Sequence, residues 1–87
     1  MTIGKIIVDA QEVDDLISGM LLLQQVHRYE LLCTLHSATV GALLVRLADH
    51  QKDILRARDE FQESTEFAVG IQEIADATWI ELEKRRA

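Results

Sequence analysis

The largest group of potentially reactive side chains lies in VHRYELLCTLH, residues 26–36. This stretch contains His27, Glu30, Cys33 and His36, which are residue types that bind zinc or take part in catalysis. Successive residues of a helix are rotated by about 100°, so His27 and Glu30 share one face and Cys33 and His36 share another. A zinc site needs three or four ligands at one point. Because no three of these side chains converge, the stretch predicts a helix with polar edges.

A second helix could complete a metal site. If the chain turned back after this stretch, His27 and Glu30 would face His50 and Asp53, and carboxylate–histidine pairs on facing helices hold the metals of di-iron bundles. Those bundles use Glu-x-x-His, whereas histidine comes first here. A metal-binding bundle on these four residues is therefore the alternative hypothesis. We expect no cofactor or metal, with His27 at the edge of the core and Glu30 paired with Arg46.

Cys33 and His36 are one helical turn apart, as a thiol nucleophile and its base could be. A catalytic cysteine also needs a lowered pKa and an oriented base in a cleft. The sequence contains neither a glycine-rich turn nor a third orienting residue near them. We therefore expect a packed structural thiol and no enzymatic activity. A single cysteine cannot form an intrachain disulfide, which favours a reduced, cytoplasmic protein.

The composition predicts one all-helical domain spanning residues 1–87. The chain is 48% hydrophobic and 28% charged, and it contains no proline. Its net charge of −6 disfavours binding to nucleic acid or to anionic lipid. The longest apolar run, Leu16–Leu23, is far shorter than the roughly 20 residues that span a bilayer. We therefore expect a soluble protein.

Capping residues divide the chain into three predicted helices after a lead of residues 1–8. Asp9 followed by Glu12 forms a capping-box pattern, which predicts a first helix over residues 9–34. Thr34, Ser37 and Thr39 are capping residues that indicate a turn before a second helix over 38–60. The segment QESTEF then indicates a break before a third helix over 65–85.

An apolar seam runs across these divisions with heptad spacing. Its members alternate four and three residues apart: Leu22, Val26, Tyr29, Cys33, His36, Val40, Leu43, Leu47, His50, Ile54, Ala57 and Phe61. The seam could continue through one of the breaks and produce a single helix over 37–86, which would make the chain a long two-helix hairpin. We expect a small antiparallel bundle of three helices, because three helices of similar length bury more of their apolar faces within one chain.

The apolar surface of the predicted helices exceeds what one short bundle can bury, which favours oligomerisation into a larger bundle. The sequence thus predicts a non-enzymatic protein–protein interaction module, a homodimer or higher homo-oligomer acting as a scaffold, a regulatory subunit or a small acidic chaperone. In size, charge and helicity the chain is similar to the small acidic chaperones of bacterial type III secretion, and this similarity implies an amphipathic or basic protein client. The predicted interface residues are Leu22, Val26, Tyr29, Val40, Leu47, Ile54, Phe61 and Trp79.

Overall fold

The computed structural model describes residues 9–60 and 65–86, and this part of the chain contains α-helices and no strand. The helices are α1 (Ala10–Leu21), α2 (Gln25–Thr34), α3 (Ser37–Glu60) and α4 (Thr65–Arg86). The all-helical prediction is confirmed. The predicted number of three helices is wrong, because the segment expected to form one helix over residues 9–34 forms two.

The start of α1 is set by its N-cap, as the sequence predicts. Asp9 has an extended backbone, and its carboxylate accepts hydrogen bonds from the amides of Gln11 at 2.8 Å and Glu12 at 3.3 Å. These contacts satisfy donors that have no partner within the first turn of a helix.

The break between α1 and α2 at residues 22–24, called the elbow here, is the feature that the sequence prediction missed. Three consecutive leucines, Leu21, Leu22 and Leu23, would span about 200° of the circumference of a helix. One straight helix therefore cannot bury all three against the same core. The chain instead leaves the helix at Leu22 and becomes extended at Gln24, with ψ of 159°. Leu21 then packs against the core, whereas Leu22 is 88% exposed.

The break between α2 and α3 at residues 35–36, called the turn here, lies where the capping residues predict it. The Thr34 hydroxyl donates to the carbonyl of Leu31 at 2.7 Å, and the Leu35 amide donates to Leu32 at 3.2 Å. The imidazole Nδ1 of His36 accepts the amide of Ala38 at 3.0 Å. The Thr34 and His36 side chains thus satisfy one backbone group on each side of the turn.

Helices α3 and α4 pack antiparallel to each other along their lengths. Gln51 donates to Gln72 at 2.7 Å, and Arg85 donates to the Ser37 hydroxyl at 3.1 Å near the opposite end. Because α4 runs back beside α3, the alternative of one long helix over 37–86 is wrong.

The two short helices pack on different partners. Helix α1 contacts α3 and α4, whereas α2 lies mainly against α4. The elbow reverses the chain, so the four helices run alternately up and down around one core. The hydrophobic core residues that are at most 9% exposed are Val13, Ile17, Met20, Leu32, Val40, Leu43, Leu47, Ile54, Ile71, Ile74, Ala75 and Ala77.

Candidate interaction surfaces

The four residues of the alternative metal-site hypothesis do not come together. His27 Nδ1 lies 3.5 Å from Glu30 Oε2 on the exposed side of α2, whereas His50 Nε2 lies 3.3 Å from an oxygen of Asp14 on α1. They are separated because the elbow directs α2 onto α4 and away from α3. Across residues 9–60 and 65–86, no three histidine, cysteine, aspartate or glutamate side chains form a group that could hold a metal ion.

Asp14 and Arg46 form a bidentate salt bridge that joins α1 to α3. Arg46 Nε lies 2.7 Å from one carboxylate oxygen and Nη2 lies 3.0 Å from the other. Hydrogen bonding from Arg46 holds the pKa of Asp14 below its ordinary value, and the nearby His50 acts in the same direction. The expected pair between Glu30 and Arg46 is therefore wrong, since Arg46 contacts a different helix.

Cys33 and His36 do not form a nucleophile–base pair. The Cys33 thiol donates to a carboxylate oxygen of Glu81 at 3.4 Å, and this contact raises the pKa of the thiol. A nucleophilic cysteine needs the opposite shift. The His36 ring accepts the amide of Ala38, so it caps α3. Cys33 is also exposed, so the prediction that it is packed inside the protein is wrong.

The predicted interface residues divide into a buried and an exposed group. Val40, Leu47 and Ile54 lie in the core of the single chain, so their assignment to an interface is corrected. The reason is that α4 covers the seam of α3 within the same chain. Tyr29 is half-buried against the core. Phe61 lies outside the described residues.

Leu22, Val26 and Trp79 remain exposed, as an interface requires. The structure adds further large apolar side chains on the surface that the sequence analysis did not select: Val45, Leu55, Phe67, Val69 and Ile80. Each of the added residues lies beside a buried stripe, and helical periodicity alone does not separate such positions from core positions.

One group of exposed apolar residues surrounds a groove between the elbow and the start of α4, called the elbow groove here. Its volume is about 580 Å³. Its lining residues are Leu21, Arg28, Glu66, Phe67, Val69, Gly70 and Glu73. In the sequence, Leu22 and Val26 lie between two of its lining residues, Leu21 and Arg28.

Gly70 allows the close approach that forms the inner wall of the elbow groove. A Cβ atom at this position would lie 2.6 Å from Cδ2 of Leu21, which is closer than real contacts allow. Glycine therefore lets α4 pack against the end of α1 while the Leu21 side chain keeps its place.

Arg28 forms the polar wall of the elbow groove. Its guanidinium donors already have acceptors within the chain. Its Nε donates to the carbonyl of Met20 at 2.8 Å, and Nη1 donates to Glu73 at 2.9 Å. The Arg28 side chain is 9% exposed, whereas that of Glu73 is 52% exposed. The groove therefore presents carboxylates more than cations to solvent.

A second apolar surface lies on the outer side of α4. Trp79 is 51% exposed and its neighbour Ile80 is 46% exposed. The Arg86 guanidinium lies 5.9 Å from the centre of the Trp79 ring, in the range of a cation–π contact. Arg86 also contacts Glu83 at 3.3 Å.

The comparisons with known proteins do not assign the chain. No protein-family model, curated protein or solved structure matches it. None of the described helices is both long enough and apolar enough to cross a bilayer.

Proposed function

We propose that the protein is a non-enzymatic protein–protein interaction module that associates with itself, most simply as a two-fold dimer. The observation that carries this proposal is the pair Trp79 and Ile80, two large apolar side chains that lie next to each other on α4 and are about half exposed. Tryptophan is enriched among the residues that dominate binding energy at interfaces. A scaffold, a regulatory subunit or a small acidic chaperone would each use such a surface.

The charges on the outer side of α4 fit a second copy of the same chain. Exposed Asp76 lies one turn before Ile80, whereas exposed Lys84 lies one turn after it. In a two-fold dimer, two α4 helices can lie antiparallel across the axis, because each copy offers the same patch to the other. Asp76 of one helix then lies beside Lys84 of the other, with Trp79 and Ile80 between these two ion pairs.

Light scattering on the variant Ile80→Asp tests this proposal. At micromolar concentration we expect the wild-type protein to have at least twice the mass of one chain. The variant should have the mass of one chain, because burial of an unpaired carboxylate is costly. The matched control is Val45→Asp, which places the same charge at a position that is 65% exposed on α3.

The control should keep the wild-type mass, and thermal melting should show that both variants are folded. A wild-type protein with the mass of one chain throughout the micromolar range would refute self-association. Equal dissociation by both substitutions would refute the assignment to α4.

A further inference from the structure

We infer that the elbow groove binds an amphipathic helix of another protein, one whose polar face carries lysine or arginine. This inference rests on the proposed interaction function and adds a second surface to it. Helix-in-groove recognition needs an apolar depression that accepts side chains from one face of the incoming helix. Leu21, Phe67, Val69 and Gly70 form such a depression, and about 580 Å³ is enough for more than one apolar side chain.

Exposed apolar side chains lie along the α4 side of the groove. Arg28 contacts Glu73 across the α2–α4 interface. Val69 lies one turn before Glu73 on the same face of α4, so it is within about one helical turn of this ion pair. Phe67 and Val69 both line the groove and are 38% and 49% exposed. An incoming helix would therefore meet apolar surface mainly on α4.

The charge around the groove selects a basic partner. Glu66 and Glu73 line it, and Glu66 has no ion-pair partner among the described residues. In the sequence, residues 59–66 contain four acidic residues and no lysine or arginine. Arg28 offers little positive charge to a ligand, because it donates to Glu73 and to backbone carbonyls of α1.

The same charges disfavour the other occupants. Two copies of this chain that met through their elbow grooves would bring their Glu66 carboxylates together, and such like-charge contact opposes association. An anionic lipid surface would be repelled in the same way. A cationic amphipathic helix gains both from burial of its apolar face and from attraction to the carboxylates.

The test uses the full chain and a synthetic helical peptide of about 18 residues, long enough to form a helix. Leucine occupies one face of the peptide and lysine the other. One control peptide has glutamate in place of lysine, and a second has serine in place of leucine. Titration calorimetry should show binding of the leucine–lysine peptide alone. The affinity should fall as salt is raised, because the attraction between exposed charges is screened.

Variants of the protein locate the binding site. Val69→Asp should weaken binding about tenfold, which is the effect of losing the burial of one valine side chain. Glu66→Lys should weaken it about fivefold through lost attraction between exposed charges. The matched control is Asp53→Lys, which makes the same change on an exposed position of α3 that does not line the groove. It should change the affinity less than twofold, because this charge is exposed to solvent and does not line the groove.

Amide chemical shifts measured during the titration give a second readout that does not depend on any variant. They should change at the elbow and in the first two turns of α4. The inference is wrong if the serine–lysine peptide binds as well as the leucine–lysine peptide, if Asp53→Lys and Glu66→Lys weaken binding equally, or if vesicles of anionic lipid bind the chain and the peptide does not.

The Ile80→Asp variant separates this inference from the proposed self-association. Because Ile80 does not line the groove, the variant should lose its partner copy and still bind the peptide. Loss of peptide binding together with the change in mass would place the peptide on the α4 surface and overturn the inference. If the wild-type protein is a dimer but does not bind the peptide, only the inference about the groove is wrong. If it is a monomer and does not bind the peptide, both proposals are wrong.

Discussion

The elbow and the turn are both helix ends capped by an arginine, and they differ in which member of the ion pair is more deeply buried. At the elbow, Arg28 donates to the last carbonyls of α1 and to Glu73; the Arg28 side chain is 9% exposed and that of Glu73 is 52% exposed. At the turn, Arg85 donates to the carbonyl of Leu32 at 2.9 Å and to Glu81 at 2.7 Å. There the glutamate is 9% exposed and the arginine 22%.

This difference determines what remains after the more exposed member of each pair is removed. Without Glu73, the buried Arg28 still has the backbone carbonyls of Met20 and Leu21 as acceptors. Without Arg85, the partners left to the buried Glu81 carboxylate within residues 9–60 and 65–86 are the Cys33 thiol and a Lys84 ammonium at 3.9 Å. An unpaired buried charge is much more costly than an exposed one. The two similar caps should therefore respond unequally to truncation.

The largest expected effect is that of Arg85→Ala. It should lower the free energy of unfolding by about 2–3 kcal/mol, because it leaves the buried Glu81 carboxylate without its main partner. Glu73→Ala should cost only about 1 kcal/mol, since Arg28 keeps its other hydrogen bonds. Urea denaturation of both variants measures the difference. Equal costs would show that burial of the carboxylate does not distinguish the turn from the elbow.

A smaller effect should appear as the pH is lowered. The hydrogen bond from Arg85 lowers the pKa of Glu81 from its ordinary value of 4.5, against the opposing effect of burial. A carboxylate with a lowered pKa in the folded state stabilises the protein above the unfolded pKa, and this contribution is lost as the pH falls through the folded pKa.

We therefore expect wild type to be more stable than Glu81→Gln at pH 7. The difference in stability between the two proteins should narrow as the pH falls below about 4.5. Thermal melting of both proteins at a series of pH values from 7 downward measures this difference. Because Asp14 and the other carboxylates titrate in both proteins, the difference between the two curves isolates Glu81. A gap of constant size down to the lowest pH would contradict the assigned role.

The smallest expected effect is on the reactivity of Cys33. Its hydrogen bond to Glu81 raises the pKa of the thiol above the ordinary 9.0, so little thiolate forms at neutral pH. Alkylation by iodoacetamide should therefore be slower in the folded wild type than in the urea-unfolded chain. Glu81→Gln should speed alkylation of the folded protein, because it removes the negative charge beside the sulfur. An unchanged rate in this variant would show that Glu81 does not control the thiol.

The sequence predicts the local features of the fold better than its tertiary contacts. The Asp9 cap and the break before Ser37 are encoded by side chains that bond to backbone within three residues, and both predictions are confirmed. The elbow is different, because a side chain from the next helix, Arg28, stabilises it. Neither glycine nor proline occurs within residues 21–25 to mark it.

The missed elbow explains most of the errors at the candidate sites. A continuous first helix would have placed His27 and Glu30 opposite α3, where Arg46 and His50 lie. With the elbow, α2 packs on α4, and Arg46 and His50 contact Asp14 instead. The three consecutive leucines at the elbow were the available signal, because they cannot share one face of a helix. The exposed residues around the elbow groove could not be recognised before this reversal was known.

The shape of the elbow groove depends on the absence of a side chain at Gly70. Leu21 lines the groove, and its Cδ2 atom occupies the space that a methyl group at residue 70 would need. A substitution by alanine would push the leucine terminus aside and so reshape the cavity mouth, although no solvent-facing side chain had been altered. The range of helices that such a surface accepts can therefore vary with a single carbon atom at a position that has no side chain of its own.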